Sequence, residues 1–462
     1  MPKAGEIITL DITSYANGGD GIGRYNNLIV FVPYACINDL VTVKIREVKK
    51  SYARADIIKI VNPSEQRIQA KCKYYYHYKD KEDLYCGGCN WMHINEAEQL
   101  KAKEGLVHNA FKSIGKIDNY KWEGIIKSPK IWEYRNKVQL PCAENKKDKL
   151  FTGFYKPRTH TIIPIDKCLM QSAHVQAIIN KFIERAKHYT LWPYNEKTHK
   201  GSLRHLVIRT NKEKKLLITI VSVKLPSNAL KNLAKDLKKE FSNIAGIFHN
   251  YNPLNTNVIL GKKFTCLTGD NYIFERIGNI EYRLQTASFF QINSFQLENL
   301  YNTVKDYLDP KGAEQIVDLY CGAGGIGLYL SKHVKSVIGI EEIEQAVISA
   351  QENLAYNKIF NTSFYKGKVE YIIEKIALPK KIDAVIINPP RKGVKPLVIE
   401  KIAGISPEKI IYVSCSPVTL ARDLKLLKES GYNLKRAKAV DMFPQTSQVE
   451  VVAQLLKGSN LK

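Results

Sequence analysis

A Ser-Cys-Ser-Pro motif at residues 414–417 places a cysteine, Cys415, directly after the apolar run of residues 410–413. Such a run is typical of a buried strand in a nucleotide-binding sheet, and a side chain at the carboxyl end of that strand lies at the rim of the ligand crevice. Taken alone, a cysteine in this position is usually a small core residue. Whether it is instead a nucleophile depends on the groups around it.

A glycine-rich sequence at residues 318–327 follows another apolar run and predicts a cofactor pocket. Its glycines let the chain turn sharply after a strand and let the backbone approach a ligand. The acidic start, Asp318, disfavours a phosphate but suits S-adenosylmethionine, which is cationic and phosphate-free. Glu341 follows at the end of the next predicted strand, about 20 residues on, where a carboxylate can bind ribose hydroxyls. The pattern favours S-adenosylmethionine, with a nicotinamide-binding fold as the alternative.

An Asn-Pro-Pro-Arg motif at residues 388–391 bears on the methyl acceptor. Enzymes that methylate exocyclic amines have a similar motif but usually carry an aromatic residue where Arg391 stands. An amine needs no catalytic cysteine, whereas carbon 5 of a uracil becomes nucleophilic only after a thiolate, here Cys415, adds to carbon 6. A base must then remove the carbon 5 proton, and Glu450 is the candidate, although Glu450 alone would indicate only a surface acid. Together these residues predict methylation of a pyrimidine ring carbon.

The elements that position these residues fall into three parts. Residues 1–60 alternate apolar and polar positions between turns, which predicts a small OB-like β-barrel. Residues 61–285 mix helical and strand patterns and predict an α+β domain. In residues 286–462 strand, turn and helix alternate, which predicts a doubly wound, Rossmann-like α/β sheet. The end of a helix is predicted over residues 107–117, and helices are predicted over residues 230–241 and 343–357.

Composition favours an anionic partner. The 462 residues carry 70 Lys and Arg against 45 Asp and Glu, a net charge of +25. This excess predicts salt-sensitive binding to a nucleic acid, although a lysine-rich genome would also produce it. Because no apolar run approaches the roughly 20 residues that cross a bilayer, and the N-terminus lacks a secretory core, we expect a cytoplasmic protein with no membrane partner.

These motifs as a set resemble the RNA uracil-5-methyltransferase family, which acts on ribosomal and transfer RNA, and the resemblance covers nearly the whole chain. Residues 1–60 are similar to the TRAM domain that begins many members, and residues 442–450 are similar to the C-terminal motif that ends in the base. The resemblance implies that Cys415 is the nucleophile, Glu450 the base and RNA the partner. It also places four residues on S-adenosylmethionine-binding positions: Gln291, Tyr320, Glu341 and Asn388.

The chain departs from the family pattern at a few positions. Many members have Asp where this chain has Asn388, which keeps hydrogen bonding but removes a charge, and Ser416 replaces a commoner Asn. We expect a monomer and favour ribosomal over transfer RNA as the substrate. A cytosine-5-methyltransferase and a non-catalytic RNA-binding factor are the alternatives.

The remaining cysteines suggest a metal site. A tight Cys-Gly-Gly-Cys pair, Cys86 and Cys89, is preceded by Cys72 and followed much later by Cys168. Four thiolates suit a 4Fe–4S cluster, which many family members hold in a similar arrangement, while zinc or free thiols are the alternatives. The interval between Cys72 and Cys86 is longer than is common and includes residues 79–83. Such a cluster would be structural, because methyl transfer needs no electrons.

The segment that surrounds Cys72 interleaves lysines with aromatic residues over residues 71–79. This pattern can stack unpaired nucleotides, and it can equally reflect packing around a metal cluster.

Overall fold

The computed structural model describes residues 2–79, 84–145 and 149–458. Its main units are a closed barrel, a seven-stranded sheet and an eight-stranded sheet. Most of the long interval between Cys72 and Cys86 is described, but residues 80–83 lie outside the described residues.

The N-terminal barrel closes in the order β1-β2-β3-β5-β4. Its strands are β1 (Ile7–Tyr15), β2 (Gly21–Tyr25), β3 (Leu28–Val32), β4 (Leu40–Val48) and β5 (Tyr52–Asn62). Side chains alternate in and out along each strand, so Ile8, Leu10 and Ile12 are buried while Ile7 is 60% exposed. The predicted small barrel is confirmed.

The seven-stranded sheet forms the middle of the chain, after helix α1 (Glu96–Ala110), a π-helical turn (Phe111–Gly115) and strand β6 (Lys121–Ile126). Its elements are β7 (Lys137–Ala143), β8 (Phe151–Tyr155), β9 (Ile162–Pro164), α2 (Ala173–His188), β10 (Leu203–Thr210), β11 (Leu216–Ser222), α3 (Asn228–Glu240), β12 (Ile244–Tyr251) and β13 (Lys263–Gly269). The strand order is β13-β12-β11-β10-β7-β8-β9. Helix α3 buries Leu230, Leu233 and Leu237, a spacing that places one apolar stripe toward the sheet. The predicted α+β architecture is confirmed.

A hairpin and a helix lead into the last sheet: β14 (Tyr272–Ile277), β15 (Ile280–Gln285) and α4 (Ser294–Leu308). The first half of the sheet region contains β16 (Gln315–Leu319), α5 (Gly325–Leu330), a 3₁₀ turn (Ser331–His333), β17 (Ser336–Glu341), α6 (Glu344–Tyr356), β18 (Thr362–Lys366) and α7 (Val369–Ile372). The second half contains β19 (Ala384–Ile387), α8 (Pro396–Ile405), β20 (Lys409–Ser414), α9 (Pro417–Glu429), β21 (Tyr432–Val440) and β22 (Glu450–Lys457).

The strand order of this sheet, β18-β17-β16-β19-β20-β22-β21-β6, decides where a ligand binds. The order reverses between β16 and β19, and ligands of open α/β sheets bind at the carboxyl ends of the strands beside such a point. Strand β22 runs antiparallel to both β20 and β21. The predicted doubly wound, mostly parallel sheet is confirmed, with this antiparallel strand inserted near one edge.

The predicted middle part also contributes to the last sheet. Strand β6 pairs in parallel with β21, and α1 packs against α9. The boundary at residue 286 remains a prediction. Helices α3 and α6 lie where periodicity predicts them, whereas the predicted helix end over residues 107–117 changes at Phe111 into the π-helical turn. Within the described ranges, no helix combines the length and the apolar character that crossing a bilayer requires.

Candidate active site

The glycine-rich turn between β16 and α5 has the conformation that a ligand cradle requires. Gly324 has a φ of +81°, and a Cβ atom there would lie 2.7 Å from the ring of Phe364, so only glycine fits. Tyr320 has a φ of +60°, which is unusual for a bulky residue and marks a backbone held by its surroundings. The turn therefore brings backbone groups to the switch point of the sheet.

Two carboxylates hold this turn. Glu341, at the end of β17, accepts hydrogen bonds from the Gly322 amide (3.0 Å) and the Ile343 amide (2.8 Å). Asp318 is buried and accepts from the Gly327 amide through Oδ2 (2.9 Å), while its Oδ1 atom has no hydrogen-bond partner. Burial raises the pKa of Asp318 to about 7. The unpaired Oδ1 atom leaves acceptor capacity for a cationic ligand, and sequence patterns identified Asp318 only as the acidic start of the turn.

The other predicted cofactor residues come from neighbouring elements. The backbone amide of Asn388 donates to the Leu319 carbonyl (3.2 Å), so Asn388 lies beside the glycine-rich turn at the end of β19. Gln291 precedes α4, and its carbonyl accepts from the side-chain amide of Asn136 (2.8 Å). The structure therefore groups Tyr320, Glu341 and Asn388 around one turn. It ties Gln291 to the start of the seven-stranded sheet.

Cys415 lies in the tight connection between β20 and α9. The Ser416 amide donates to the Ser414 hydroxyl (3.1 Å), and the Ser416 hydroxyl caps α9 by accepting from the Thr419 amide (3.4 Å). Pro417 occupies the first turn of α9, where its missing N–H costs nothing. The local sequence thus ends the strand and starts the helix around a half-buried thiol.

Glu450 lies near Cys415, at the start of the adjacent strand. Ser414, the last residue of β20, pairs with Val451 of β22, so Cys415 directly follows the paired end of β20 and Glu450 directly precedes Val451. Glu450 is buried, and burial raises its pKa to about 8, while the positive charge of Arg391 opposes the shift. Burial, followed by the negative charge of Glu450, raises the pKa of the Cys415 thiol, and Arg391 again opposes the shift. The two predicted catalytic groups and one cation act on each other electrostatically.

Arg391 is held by contacts that a linear sequence does not reveal. Its carbonyl accepts from the hydroxyl of Thr419 on α9 (3.2 Å). Asp423, a buried residue of the same helix, accepts from the amide of Val394 in the loop that follows Arg391 (2.9 Å). Asp423 also accepts from the Tyr412 hydroxyl of β20 (2.6 Å). Helix α9 therefore fixes the loop that carries Arg391. The Pro-Pro-Arg sequence indicated the position of this cation, but its proximity to both Cys415 and Glu450 required the structure.

A cavity of about 450 Å³ connects this site to the barrel. Cys415 and Arg391 lie in its wall together with Tyr34 of the barrel and Tyr76 of the lysine- and tyrosine-rich segment. The rings of Tyr34 and Tyr76 are stacked with centroids 4.3 Å apart. Two further arginines, Arg46 and Arg158, lie in the same wall, where they pair with Asp56 (3.1 Å) and Asp20 (3.9 Å). Such a lining suits an unpaired nucleotide strand that reaches the thiol.

The four cysteines of the predicted metal site line a second cavity of about 290 Å³: Cys72, Cys86, Cys89 and Cys168. Burial raises the pKa of each of these thiols. Arg135 and Lys137 lie in the same wall, and burial lowers the pKa of Lys137 to about 8. Within the described ranges, no three His, Cys, Asp or Glu side chains are arranged to hold a single metal ion. The donor types and the surrounding cations nevertheless fit an anionic, thiolate-ligated group in this space.

The aromatic segment beside Cys72 divides between the two cavities. Tyr75 is buried and lines the cysteine cavity, whereas Tyr76 lines the cavity that contains Cys415. The metal-site and RNA-facing interpretations of this segment both stay predictions.

The fold and the site define a class of protein: a Rossmann-like transferase sheet with a glycine-rich cofactor turn, joined to a small basic barrel. Residues 95–457 match the family model described as tRNA (uracil-5-)-methyltransferase, and residues 3–58 match the TRAM domain. The chain belongs to the tRNA (uracil-5-)-methyltransferase family and is an RNA methyltransferase. The resemblance seen in the motifs is confirmed.

Several known proteins are similar over their whole length. An uncharacterized RNA methyltransferase of Clostridium tetani is 38% identical over 454 residues, which cover 97% of this chain and 96% of the relative. One of Staphylococcus aureus is 35% identical over 450 residues, with 97% of both chains covered. The crystal structure of Pyrococcus abyssi tRNA (uracil-54, C5)-methyltransferase in complex with S-adenosyl-L-homocysteine superposes with a TM-score of 0.77 at 27% identity, covering 97% of this chain and 99% of that one.

Proposed function

We propose that this protein transfers a methyl group from S-adenosylmethionine to carbon 5 of a uridine in RNA, through a covalent adduct with Cys415. The observation that carries the proposal is that Cys415 directly follows β20 and Glu450 begins the paired strand β22, with Cys415 in a cavity that reaches the barrel. Membership of a uracil-5-methyltransferase family supports the same chemistry.

The cofactor would bind at the glycine-rich turn. Glu341 is oriented by two backbone amides and would accept the ribose hydroxyls, while Tyr320, Asn388 and Gln291 would complete the pocket. The complex of the Pyrococcus enzyme with S-adenosyl-L-homocysteine supports this cofactor class. When bound, S-adenosylmethionine supplies the electrophilic methyl group.

In the first step the Cys415 thiolate adds to carbon 6 of the uracil, and the electron pair of the ring double bond makes carbon 5 nucleophilic. A positive charge near the thiol favours the thiolate, and Arg391 supplies that charge against the effects of burial and of Glu450. Asn388, at the adjacent strand end, can donate and accept hydrogen bonds to the base without adding a charge. Carbon 5 then takes the methyl group.

In the last step Glu450 takes the proton that remains on carbon 5. The C–H electron pair restores the ring double bond, the bond from sulfur to carbon 6 breaks, and Cys415 leaves as a thiolate. A pKa of about 8 makes the Glu450 carboxylate a stronger proton acceptor than an ordinary glutamate. The same pKa leaves most Glu450 side chains protonated in the free protein at neutral pH, so the base is the ionised fraction, which the positive charge of Arg391 favours.

The RNA substrate would approach along the basic and aromatic wall of the larger cavity. A uracil inside a helix cannot reach Cys415, so the target must be unpaired or turned out of its stack. The barrel and its TRAM match support RNA binding. We take ribosomal RNA as the favoured target and transfer RNA as the alternative, and we retain the expectations of a monomer and a cytoplasmic location.

We also propose that the four clustered cysteines hold a structural 4Fe–4S cluster. Cys72, Cys86, Cys89 and Cys168 would supply the thiolates, and Arg135 and Lys137 would balance their negative charge. No step of the methyl transfer passes through this group.

Nucleoside mapping tests the proposed reaction. RNA from a strain that lacks the gene should lose 5-methyluridine at specific sites of ribosomal RNA, and the purified protein should restore it with S-adenosylmethionine as the methyl donor. Loss of 5-methyluridine from transfer RNA instead would identify transfer RNA as the substrate. Formation of 5-methylcytidine would identify cytosine as the methylated base. An unchanged modification map, with no methyl transfer by the purified protein, would reject the proposal.

A further inference from the structure

Asn90, the residue after Cys89, lies where three distant segments of the chain meet. The first is the barrel turn at Gly18 and Gly19, and the second is the segment that follows the clustered cysteines. The third is residues 441–449, the loop that leads to Glu450, which we call the base loop. We propose that Asn90 is a positioning residue that holds the base loop against the barrel, so that Glu450 removes the carbon 5 proton. This inference rests on the proposed function.

The side chain of Asn90 bonds to both neighbouring segments at once. Its Nδ2 donates to the Gly18 carbonyl (2.8 Å) and to the Ser447 hydroxyl (3.0 Å). Its Oδ1 accepts from the Ser447 amide (3.0 Å). The side-chain amide of Asn90 therefore bonds to the backbone of both the base loop and the barrel turn.

Trp91 repeats the connection from the next position. Its indole Nε1 donates to the Gly19 carbonyl (2.9 Å), and its backbone amide donates to the Gln445 carbonyl (3.1 Å). Asn90 and Trp91, which are adjacent in sequence, therefore each bond to both the barrel turn and the base loop.

The packing around Gly19 shows how closely the segments approach. Gly19 has a φ of +96°, and a Cβ atom there would lie 2.5 Å from Asn90 Nδ2 and 2.8 Å from both Ser447 Cβ and Trp91 Nε1. A side chain at this position would force the three segments apart. Gly18, Gly19, Asn90 and Ser447 also line the cavity that contains Cys415, so the junction forms part of the proposed substrate wall.

The base loop has other anchors, but they lie further from Glu450 in sequence. Asp441 pairs with the buried Lys103 (2.6 Å), the Pro444 carbonyl accepts from the Tyr134 hydroxyl (3.0 Å), and the Gln445 amide donates to Gln99 (3.0 Å). Of these contacts and that of Asn90, the one at Ser447 is closest in sequence to Glu450. Loss of the Asn90 amide would free the last part of the loop while the earlier anchors remain.

Because of this geometry, we expect loss of the Asn90 side chain to affect proton removal but not methyl transfer. Cys415 is positioned by β20 and α9, whereas the side-chain hydrogen bonds of Asn90 described above go to Gly18 and Ser447, so addition to the base and methyl transfer should proceed. Proton removal depends on Glu450, and a displacement of about 1 Å at a reacting group can cost up to roughly 10²-fold in rate. The methylated covalent adduct should therefore accumulate when Asn90 is truncated.

The experiment is a single turnover of labelled methyl groups into unmodified RNA, with the covalent protein–RNA complex measured on a denaturing gel. For Asn90→Ala we expect the trapped, methylated fraction to rise about tenfold over the wild type, a partial effect within the range that misplaced groups show. Gly19→Ala should act in the same way from the barrel side. The control is Asn361→Ala, because Asn361 is also half-buried and its amide also donates to backbone carbonyls, those of Ser331 and Val334, but far from the base loop in sequence. It should not trap the adduct.

Asn90→Asp keeps an acceptor for the Ser447 amide but loses both donors, so it should fold like the wild type and trap an intermediate fraction. Methyl transfer and product release that fall in proportion, with no trapped complex in Asn90→Ala or Asn90→Asp, would overturn the positioning role. If the wild type itself forms neither methylated RNA nor a trapped complex with 5-fluorouridine RNA, the proposed function fails instead.

Discussion

Cys415 directly follows Ser414, the last residue of β20, which pairs with Val451, and Glu450 begins β22 immediately before Val451. The thiol and the carboxyl group lie at neighbouring ends of two paired antiparallel strands. One group that can add to a ring carbon and one that can accept a proton are therefore held on a common, rigid support. The ends of the two strands set their separation together with the base loop that leads into β22.

Replacement of the proposed nucleophile should abolish the reaction. We expect Cys415→Ala to leave no detectable methyl transfer and no covalent complex with 5-fluorouridine RNA, because no other group can add to carbon 6. Radiolabel transfer and denaturing gels measure both effects. The control is Cys266→Ala, since Cys266 is an exposed thiol on the seven-stranded sheet. Full turnover by Cys415→Ala would exclude the covalent route.

Replacement of the proposed base should have a different result. Glu450→Gln keeps the shape of the side chain but cannot take a proton, so methyl transfer should occur once and the methylated RNA should stay attached to Cys415. The decisive measurement is mass spectrometry of the protein–RNA complex. Turnover equal to that of the wild type would show that another group removes the proton.

The raised pKa of Glu450 predicts how stability depends on pH. Between about 4.5 and about 8 the folded protein retains a proton on Glu450 that the unfolded chain has released. The free energy of unfolding therefore falls as pH rises through this window, by up to about 1.4 kcal/mol per pH unit from this residue. The free energy of unfolding of Glu450→Gln does not fall in this way, because glutamine does not titrate. The difference in this free energy between the variant and the wild type should therefore shift in favour of the variant by about 2 kcal/mol from pH 5.5 to pH 7.5. Urea unfolding of both proteins at the two pH values measures this shift. A difference that is the same at both pH values would contradict the raised pKa of Glu450.

The carboxylate of Glu341 should determine cofactor affinity. Glu341→Gln replaces one acceptor oxygen by a donor, which weakens ribose binding and loses a backbone contact, so the Kd for S-adenosylmethionine should rise about tenfold, or about 1.4 kcal/mol. Isothermal titration of the purified protein measures this change. Glu344→Gln is the matched control, because Glu344 is exposed on α6 and pairs with Lys366 (2.9 Å). Equal affinities for the two variants would remove Glu341 from the cofactor site.

The clustered cysteines should bind iron. Protein purified without oxygen should contain about four iron atoms and four sulfides per chain, with the visible absorption of a cluster. Cys89→Ser should lose most of the iron, whereas Cys266→Ser should keep it. Zinc in place of iron would show a zinc site, and the absence of both metals would show free thiols; either result would reject the iron–sulfur cluster.

The correctly predicted parts of the structure are those with local causes. Alternating burial along β1 predicts a barrel strand, a three- and four-residue apolar repeat predicts α3, and the glycines of residues 318–327 predict a tight turn after a strand. The predicted end of a helix over residues 107–117 is observed, but its last turn, from Phe111, is π-helical, which the apolar repeat does not indicate.

The amino-acid sequence by itself determined the class of chemistry, since a thiol after a strand, a glycine-rich turn and a terminal glutamate are local features with local consequences. Only the tertiary structure decided which of these groups meet. It places β22 between β20 and β21 and so brings Glu450 near Cys415, and it joins Gly19, Asn90 and Ser447 at one junction. Pairings between distant segments depend on the packing of the whole chain, so no pattern within a single short stretch encodes them.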